Sequence, residues 1–206
     1  METIQLETLP DVINEMDYAD YLTMVITSAN SATTTGPEKT EERIRATKLN
    51  AQRMKRIDKQ FNPGETIKLL LATANPHWKW VLITESWCGD GAQNIPVIAK
   101  IAALNPNIEL KIVLRDENPK VMDMFLTHGS RSIPILICLE AETGHILGHW
   151  GPRPTHIDSL VQNFKNNNPT ASHDELIQNL HGWHAHDKGS AMEADLLAKC
   201  RDWLSY

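Results

Sequence analysis

The chain has 206 residues, 41% of them apolar, and a formal net charge of −6. It can therefore bury a sizeable core, and its acidic balance argues against a general nucleic-acid binder. No apolar run reaches the roughly 18 residues of a membrane span, and three cysteines without paired spacing fit reduced thiols better than a disulfide framework.

Residues 11–30 and 38–60 read as two helices separated by the polar stretch SANSATTTGPEK, with its Gly-Pro breaker. The opening METIQLETLP has early acids and no apolar leader segment, so a cytoplasmic location is expected. In the second helix Lys39, Arg43, Arg45, Lys48, Arg53, Lys55, Arg56 and Lys59 outnumber Glu41, Glu42 and Asp58. Without interleaved aromatics this is expected to be a solvated basic face, not a nucleic-acid arm. Ile44, Ala51, Met54 and Phe61 keep an apolar stripe until Asn62-Pro63-Gly64 stops it. A shorter helix carrying Ile67, Leu70 and Leu71 follows, ending before Asn75-Pro76.

From Trp78 the pattern changes. KWVLITES is a compact apolar strand, CGDGAQNIPVIAKIAALN a turn that opens a helix, and IELKIVLRD a second strand. NPKVMDMFLTHG reads as a short helix ending at Gly129. IPILICLEAETGHILGHWG reads as a hairpin turning at Glu142-Thr143-Gly144. HIDSLVQNFKNN is a helix, and two more are expected near 172–181 and 190–204. This order implies a mixed α/β sheet with helices on both faces. Three segments are expected: an N-terminal helical extension packed on the core (1–77), the core itself (78–166) and a C-terminal helical extension (167–206).

Three features of the 78–166 segment resemble the thioredoxin fold. Trp87-Cys88-Gly89 sits at a strand-to-helix turn, and Pro96 lies where thioredoxins kink the helix that follows. Ser132-Ile133-Pro134 opens the hairpin, as the cis-proline loop of thioredoxins does. More closely, WCGDGAQ, RDEN (115–118), RSIP (131–134), WGPRP (150–154), HDKG (186–189) and LNAQRMKR (49–56) resemble a bacterial single-cysteine branch of thioredoxin-like proteins. The resemblance implies the fold and a thiol-centred site more than it implies a particular activity.

The departures from thioredoxin decide the chemistry. Gly91 stands where the second thiol would be, and Asp90 replaces the proline between the two. Leu82 replaces the buried acid that lies six residues before the first cysteine of thioredoxins. A dithiol reductase cycle at this turn is chemically impossible. A helix N-terminus favours a thiolate at Cys88 and Asp90 opposes it, so a mildly acidified, solvent-facing thiol is expected.

The resemblance also implies a groove beside Cys88, with the backbone at Ile133 and Pro134 ready to pair with an extended thiol or disulfide substrate, such as glutathione or a peptide. Trp87, Gly89 and Asp90 would border it, with Trp150 as a second wall. Arg131 and Arg153 would hold anionic groups, or else tie loops together through Glu85, Asp116 or Glu117. Asp116 and Glu117 read as capping residues. Cys138 and Cys200 lie in apolar patterns and read as core thiols. His181, His184 and His186 do not have a zinc-ligand spacing, so neither metal nor cofactor is expected.

Three functions compete. One is a monothiol redox protein in which Cys88 forms a mixed disulfide or sulfenate that an external thiol resolves. The second is a non-catalytic thioredoxin-fold binding module for a protein or thiol-containing ligand. The third, an iron–sulfur carrier, is weakened because the Phe-Ser that follows Cys-Gly in monothiol glutaredoxins is Asp90-Gly91 here.

Overall fold

A computed structural model describes residues 7–206, so the reading of the extreme N-terminus lies partly outside the described residues. The sheet is built on β1 (Trp78–Thr84), paired in parallel with β2 (Ile108–Leu114) and antiparallel with β3 (Ile135–Glu140). β4 (Ile146–Trp150) pairs antiparallel with β3, giving the order β2-β1-β3-β4. Alternation along β1 divides the core into two layers. Trp78, Trp80 and Leu82 enter one, while Val81 and Ile83 enter the other.

The first layer is covered by most of the helices. These are α1 (Tyr18–Asn30), α2 (Glu41–Gln60), α3 (Glu65–Ala74), α4 (Gly89–Ala102) and, from the far end of the chain, α8 (Ser190–Trp203). Met54, Ile57 and Phe61 of the α2 segment join Ile95, Ile98, Met192 and Leu196 in one apolar cluster. The opposite face is thinner. The one-turn helix α5 (Pro119–Met122) supplies Val121 and Met122 there, with Phe125, Ile133 and the partly buried Leu9 and Val12. Helices α6 (Thr155–Asn167) and α7 (His173–Asp187) form a satellite cluster around Ile157, Val161 and Leu180. Among the described residues, no helix is long and apolar enough to cross a membrane.

Three element boundaries differ from expectation. Residues 11–17 are not helical: Met16 exchanges backbone hydrogen bonds with Ile112 at the outer edge of β2, and the Asp17 carboxylate caps α1 by accepting from the Asp20 N–H at 2.8 Å. The helix expected to reach Gly129 lasts a single turn. Helix α7 runs to Asp187, several residues beyond the expected end, started by a capping box between Ser172 and Glu175 and closed by Lys188 in the left-handed conformation. That extension brings His184 to the site.

Candidate functional site

The turn carrying Cys88 is clamped from below by a buried hydroxyl network. Ser86 Oγ lies 3.0 Å from Thr34 Oγ1 and 3.1 Å from Thr47 Oγ1, and it accepts from the Thr35 N–H at 3.0 Å. The Asn50 side-chain amide donates to the Ser86 carbonyl at 2.9 Å. The loop after α1 and the inner face of α2 are therefore tied directly to the strand end that presents the thiol. An interior polar cluster with each member paired holds one geometry firmly.

Cys88 itself is the N-cap of α4. Its Sγ accepts from the Gly91 N–H at 3.2 Å and, as a thiol, donates to the Ile133 carbonyl at 3.3 Å. The Ile133–Pro134 peptide is cis, which puts that carbonyl next to the sulfur. The thiol is only 7% exposed. Burial, reinforced by the Asp90 charge, pushes it up to about 12 against weaker opposition from the Gly91 and Asp90 N–H groups and Arg115. This corrects the expectation of a mildly acidified, solvent-facing thiol: helix-terminus stabilisation is smaller than the cost of burying a thiolate. Cys138 and Cys200 are fully buried thiols, also raised chiefly by burial.

Asp90 is the charged centre of the site. Its Oδ2 accepts from Arg153 at 2.6 and 3.1 Å, and its Oδ1 lies 3.4 Å from His184 Nε2. Burial alone would raise this carboxyl. Hydrogen bonds from His184 and Arg153 outweigh it and hold the group below the ordinary carboxylate range. Arg153 also reaches Asp158 at 3.4 Å. Its anion partners are thus internal, and they are neither of the kinds of acid expected for it, the strand-end pair or Glu85. Arg131 likewise pairs bidentately with Asp123, at 2.7 Å for each bond, on an exposed surface.

Trp87, Cys88, Gly89, Asp90, Arg131, Ile133 and Arg153 line one groove of about 650 Å³. Pro134 is buried just behind it. Trp150 is not part of it. Its ring is buried, its Nε1–H donates to Asp195 Oδ2 at 3.0 Å, and it borders a separate recess against α8. The side chain leaves β4 toward the layer packed under α4 and α8, opposite to the expected direction. Trp87 does wall the groove, with the guanidinium carbons of Arg43 and Arg115 at 4.4 and 4.9 Å from its ring centroid.

The far wall was not anticipated. Lys165 of α6 and Ile177, Leu180, His181 and His184 of α7 complete the groove, together with His128 from the loop after α5. His181 and His184 are three apart on a helix and so share a face; a longer assignment of α7 was the signal that would have found them. Glu85, expected only as a partner that Arg131 or Arg153 would tie, is instead a buried acid. It is 1% exposed, its Oε1 accepts from the Asp116 N–H at 3.0 Å, and burial raises its pKa. A buried acid therefore sits near the turn although Leu82 occupies the position where thioredoxins place theirs. Among the described residues, no group of three or more His, Cys, Asp or Glu side chains is arranged to hold a metal.

The position of the missing thiol has its own geometry. A Cβ at Gly91 would lie 2.7 Å from Thr84 Oγ1 and 3.4 Å from Cys88 Sγ. Real Cβ atoms do not approach a neighbour as closely as the first of these distances, so the site is packed around a glycine.

A parallel-antiparallel four-stranded sheet, a cysteine capping the helix after its central strand and a proline loop opposite define a thioredoxin-like protein. The family model described as Thioredoxin (Thioredoxin_9) matches residues 36–165, more than half of the chain, and the chain belongs to that family. The match begins ahead of α2, so the helix that clamps the cysteine turn is inside it. Among solved structures, an HIV epitope scaffold is 17% identical with a TM-score of 0.57, covering 90% of this chain and 92% of that one. A protein of unknown function from Pseudomonas aeruginosa is 18% identical with the same TM-score of 0.57, covering 90% of this chain and 91% of that one. At these identities the likeness is one of fold. No curated protein matches the chain.

Proposed function

We propose that the protein is a thioredoxin-fold binding module of the single-cysteine bacterial branch, whose groove takes an extended thiol-containing or peptide ligand over a neutral Cys88. In this reading the helices ahead of residue 78 are an extension that clamps the cysteine turn, and the 167–206 segment an extension that walls the groove, around a 78–166 core. The observation that carries it is the state of the sulfur: a buried thiol donating to the Ile133 carbonyl, its pKa raised to about 12. Such a group holds very little thiolate near neutral pH, and thiolate is the attacking species in thiol exchange. The backbone supports ligand binding instead. Among the described residues the Ile133 N–H has no acceptor, so it is available to an extended segment laid along the loop.

A second reading, monothiol exchange, is favoured by one contact, the Gly91 N–H directed at Sγ from 3.2 Å. That donor would stabilise a thiolate if a ligand opened the site.

Iodoacetamide rates against pH, read beside intact mass after oxidised glutathione, separate the two. For a binding module, Cys88 alkylates more slowly than the same thiol in the unfolded chain, and no adduct forms beyond that of Cys88→Ser. A glutathione adduct at Cys88, or an apparent pKa below the free-cysteine value of about 8.5, overturns the first reading in favour of the second.

A further inference from the structure

Behind the groove, where α2 faces α4 and α7, lies a recess of about 410 Å³ lined by Leu49, Gln52, Arg53, Arg56, Gln93 and His181. Arg53 is the unusual member. It is 8% exposed, yet no carboxylate touches it among the described residues. Its NH1 donates to Asn50 Oδ1 at 3.0 Å and its NH2 lies 2.8 Å from His181 Nε2. A guanidinium keeps its proton in proteins, so the charge cannot be relieved by titration. Asp90 is the acid whose charge acts on it, but that carboxylate is occupied by Arg153 and His184.

Arg53 also fixes the state of its neighbour. An arginine can only donate, so His181 Nε2 accepts, and the ring is neutral with its proton on Nδ1. Desolvation and the Arg53 charge act in the same direction, lowering the pKa of His181. Arg56, one turn further along α2 and exposed, brings a second guanidinium to the same recess and contacts Gln93 Oε1 at 3.5 Å. Two guanidinium groups and two carboxamides therefore surround a space into which no protein acid reaches.

We propose that this recess binds a small oxyanion, a phosphate or carboxylate group, with Arg53 as the buried cation and Arg56 as the gating contact. A planar guanidinium presents paired donors that match two oxygens of such a group. The anion supplies the contact charge that the fold withholds from Arg53. Desolvated cations without a carboxylate are costly to a folded protein unless something pairs with them. The site uses residues of α2, α4 and α7, shares only His181 and Gln93 with the groove, and stands whether or not Cys88 reacts.

The test is a titration of the full-length, ¹⁵N-labelled chain with inorganic phosphate at constant ionic strength, with succinate in a parallel series. The Arg53 Nε–H and His181 ring signals should shift saturably, the melting temperature should rise with ligand, and Arg56→Gln should weaken binding about tenfold or more. Arg56 is exposed, so that variant is expected to fold, and Arg56→Lys should fall between it and the parent. A response to either ligand with these features supports the site and assigns its chemistry. Non-saturating shifts, an unchanged affinity in Arg56→Gln, or shifts at Arg115, Arg131 and Lys165 in place of Arg53 overturn it.

Discussion

The Cys88 thiol donates to the Ile133 carbonyl at 3.3 Å, so the residue that marks the turn and the residue before the cis proline are joined through a proton. Ionising the sulfur would turn that hydrogen bond into repulsion between a thiolate and a carbonyl oxygen. The thiol form is thus part of the fold as well as of the site.

Alkaline stability should report this. The folded-state pKa values of Cys88 and Cys200 are each raised to about 12, and that of Cys138 is raised as well, all mainly by burial. An unfolded cysteine titrates near about 8.5. Above that value the unfolded chain loses protons that the folded chain retains, so stability falls as pH rises. Under reducing conditions the urea midpoint should hold up to about pH 8.5 and then decline toward the folded values. Replacing Cys88 by Ser should make the decline shallower. A midpoint flat across that interval would show the thiols to be accessible to solvent.

Asp90→Asn removes the carboxylate charge that Arg153 and His184 contact while keeping the size of the side chain. Breaking one partner of a buried ion pair costs about 3–5 kcal/mol, and Arg153 loses its shortest contact. In the parent the Asp90 pKa lies below its ordinary value, so its contribution is present above the unfolded carboxylate pKa and is lost as pH falls through the folded one. The variant should therefore be less stable at neutral pH but should lose less on acidification. Because the Asp90 charge raises the Cys88 pKa, iodoacetamide profiles of the folded variant should move to lower pH. An upward move would contradict the assignment of that charge.

Trp150→Phe separates groove from core. The substitution deletes the Nε1–H bond to Asp195, and a hydrogen bond to a charged group contributes about 1.5–3 kcal/mol. We expect a loss of that order by urea denaturation, with affinity for groove ligands unchanged. Weakened binding without weakened folding would return Trp150 to the groove.

Gly151 should be intolerant of a side chain. Its φ is +134°, and a Cβ would come within 2.2 Å of the Pro134 carbonyl oxygen, which belongs to the backbone of the neighbouring loop. Gly151→Ala should destabilise by well over about 1 kcal/mol, roughly the backbone cost alone of placing an L-residue at positive φ. Gly144, with φ +71° and nothing near its Cβ, should show only that smaller cost on replacement by Ala. Similar melting temperatures for the two variants would argue against the close approach.

What the sequence disclosed, and what it hid, follows from range. Strand alternation around Trp80 and Leu82 and the Trp87-Cys88-Gly89 turn are local patterns, and they locate the sheet and the thiol. The protonation of Cys88 depends on Ile133, Asp90 and the surrounding packing, and the helix-dipole argument missed it because burial outweighs a terminus. The pairing of Arg153 with Asp90 joins residues 63 apart in sequence, so no spacing rule announces it. His184 is visible in the sequence only as part of a His181/His184/His186 cluster without metal-ligand spacing, and its place in the groove follows from α7 running on to Asp187. The direction of Trp150 depends on α8, an element that packs under β4 from the far end of the chain.

Gly91 bears on what could come before or after this protein. With Thr84 Oγ1 only 2.7 Å from where a Cβ would stand, a cysteine at position 91 does not fit the structure as it is packed. Thr84 would have to shrink or turn as well, and it lies in the most enclosed part of β1. A cysteine at position 91 is therefore seated only if Thr84 gives way, by a change of rotamer or by a second substitution. Such a site is held in its one-sulfur form by the packing beneath it, whatever reaction or ligand the groove serves.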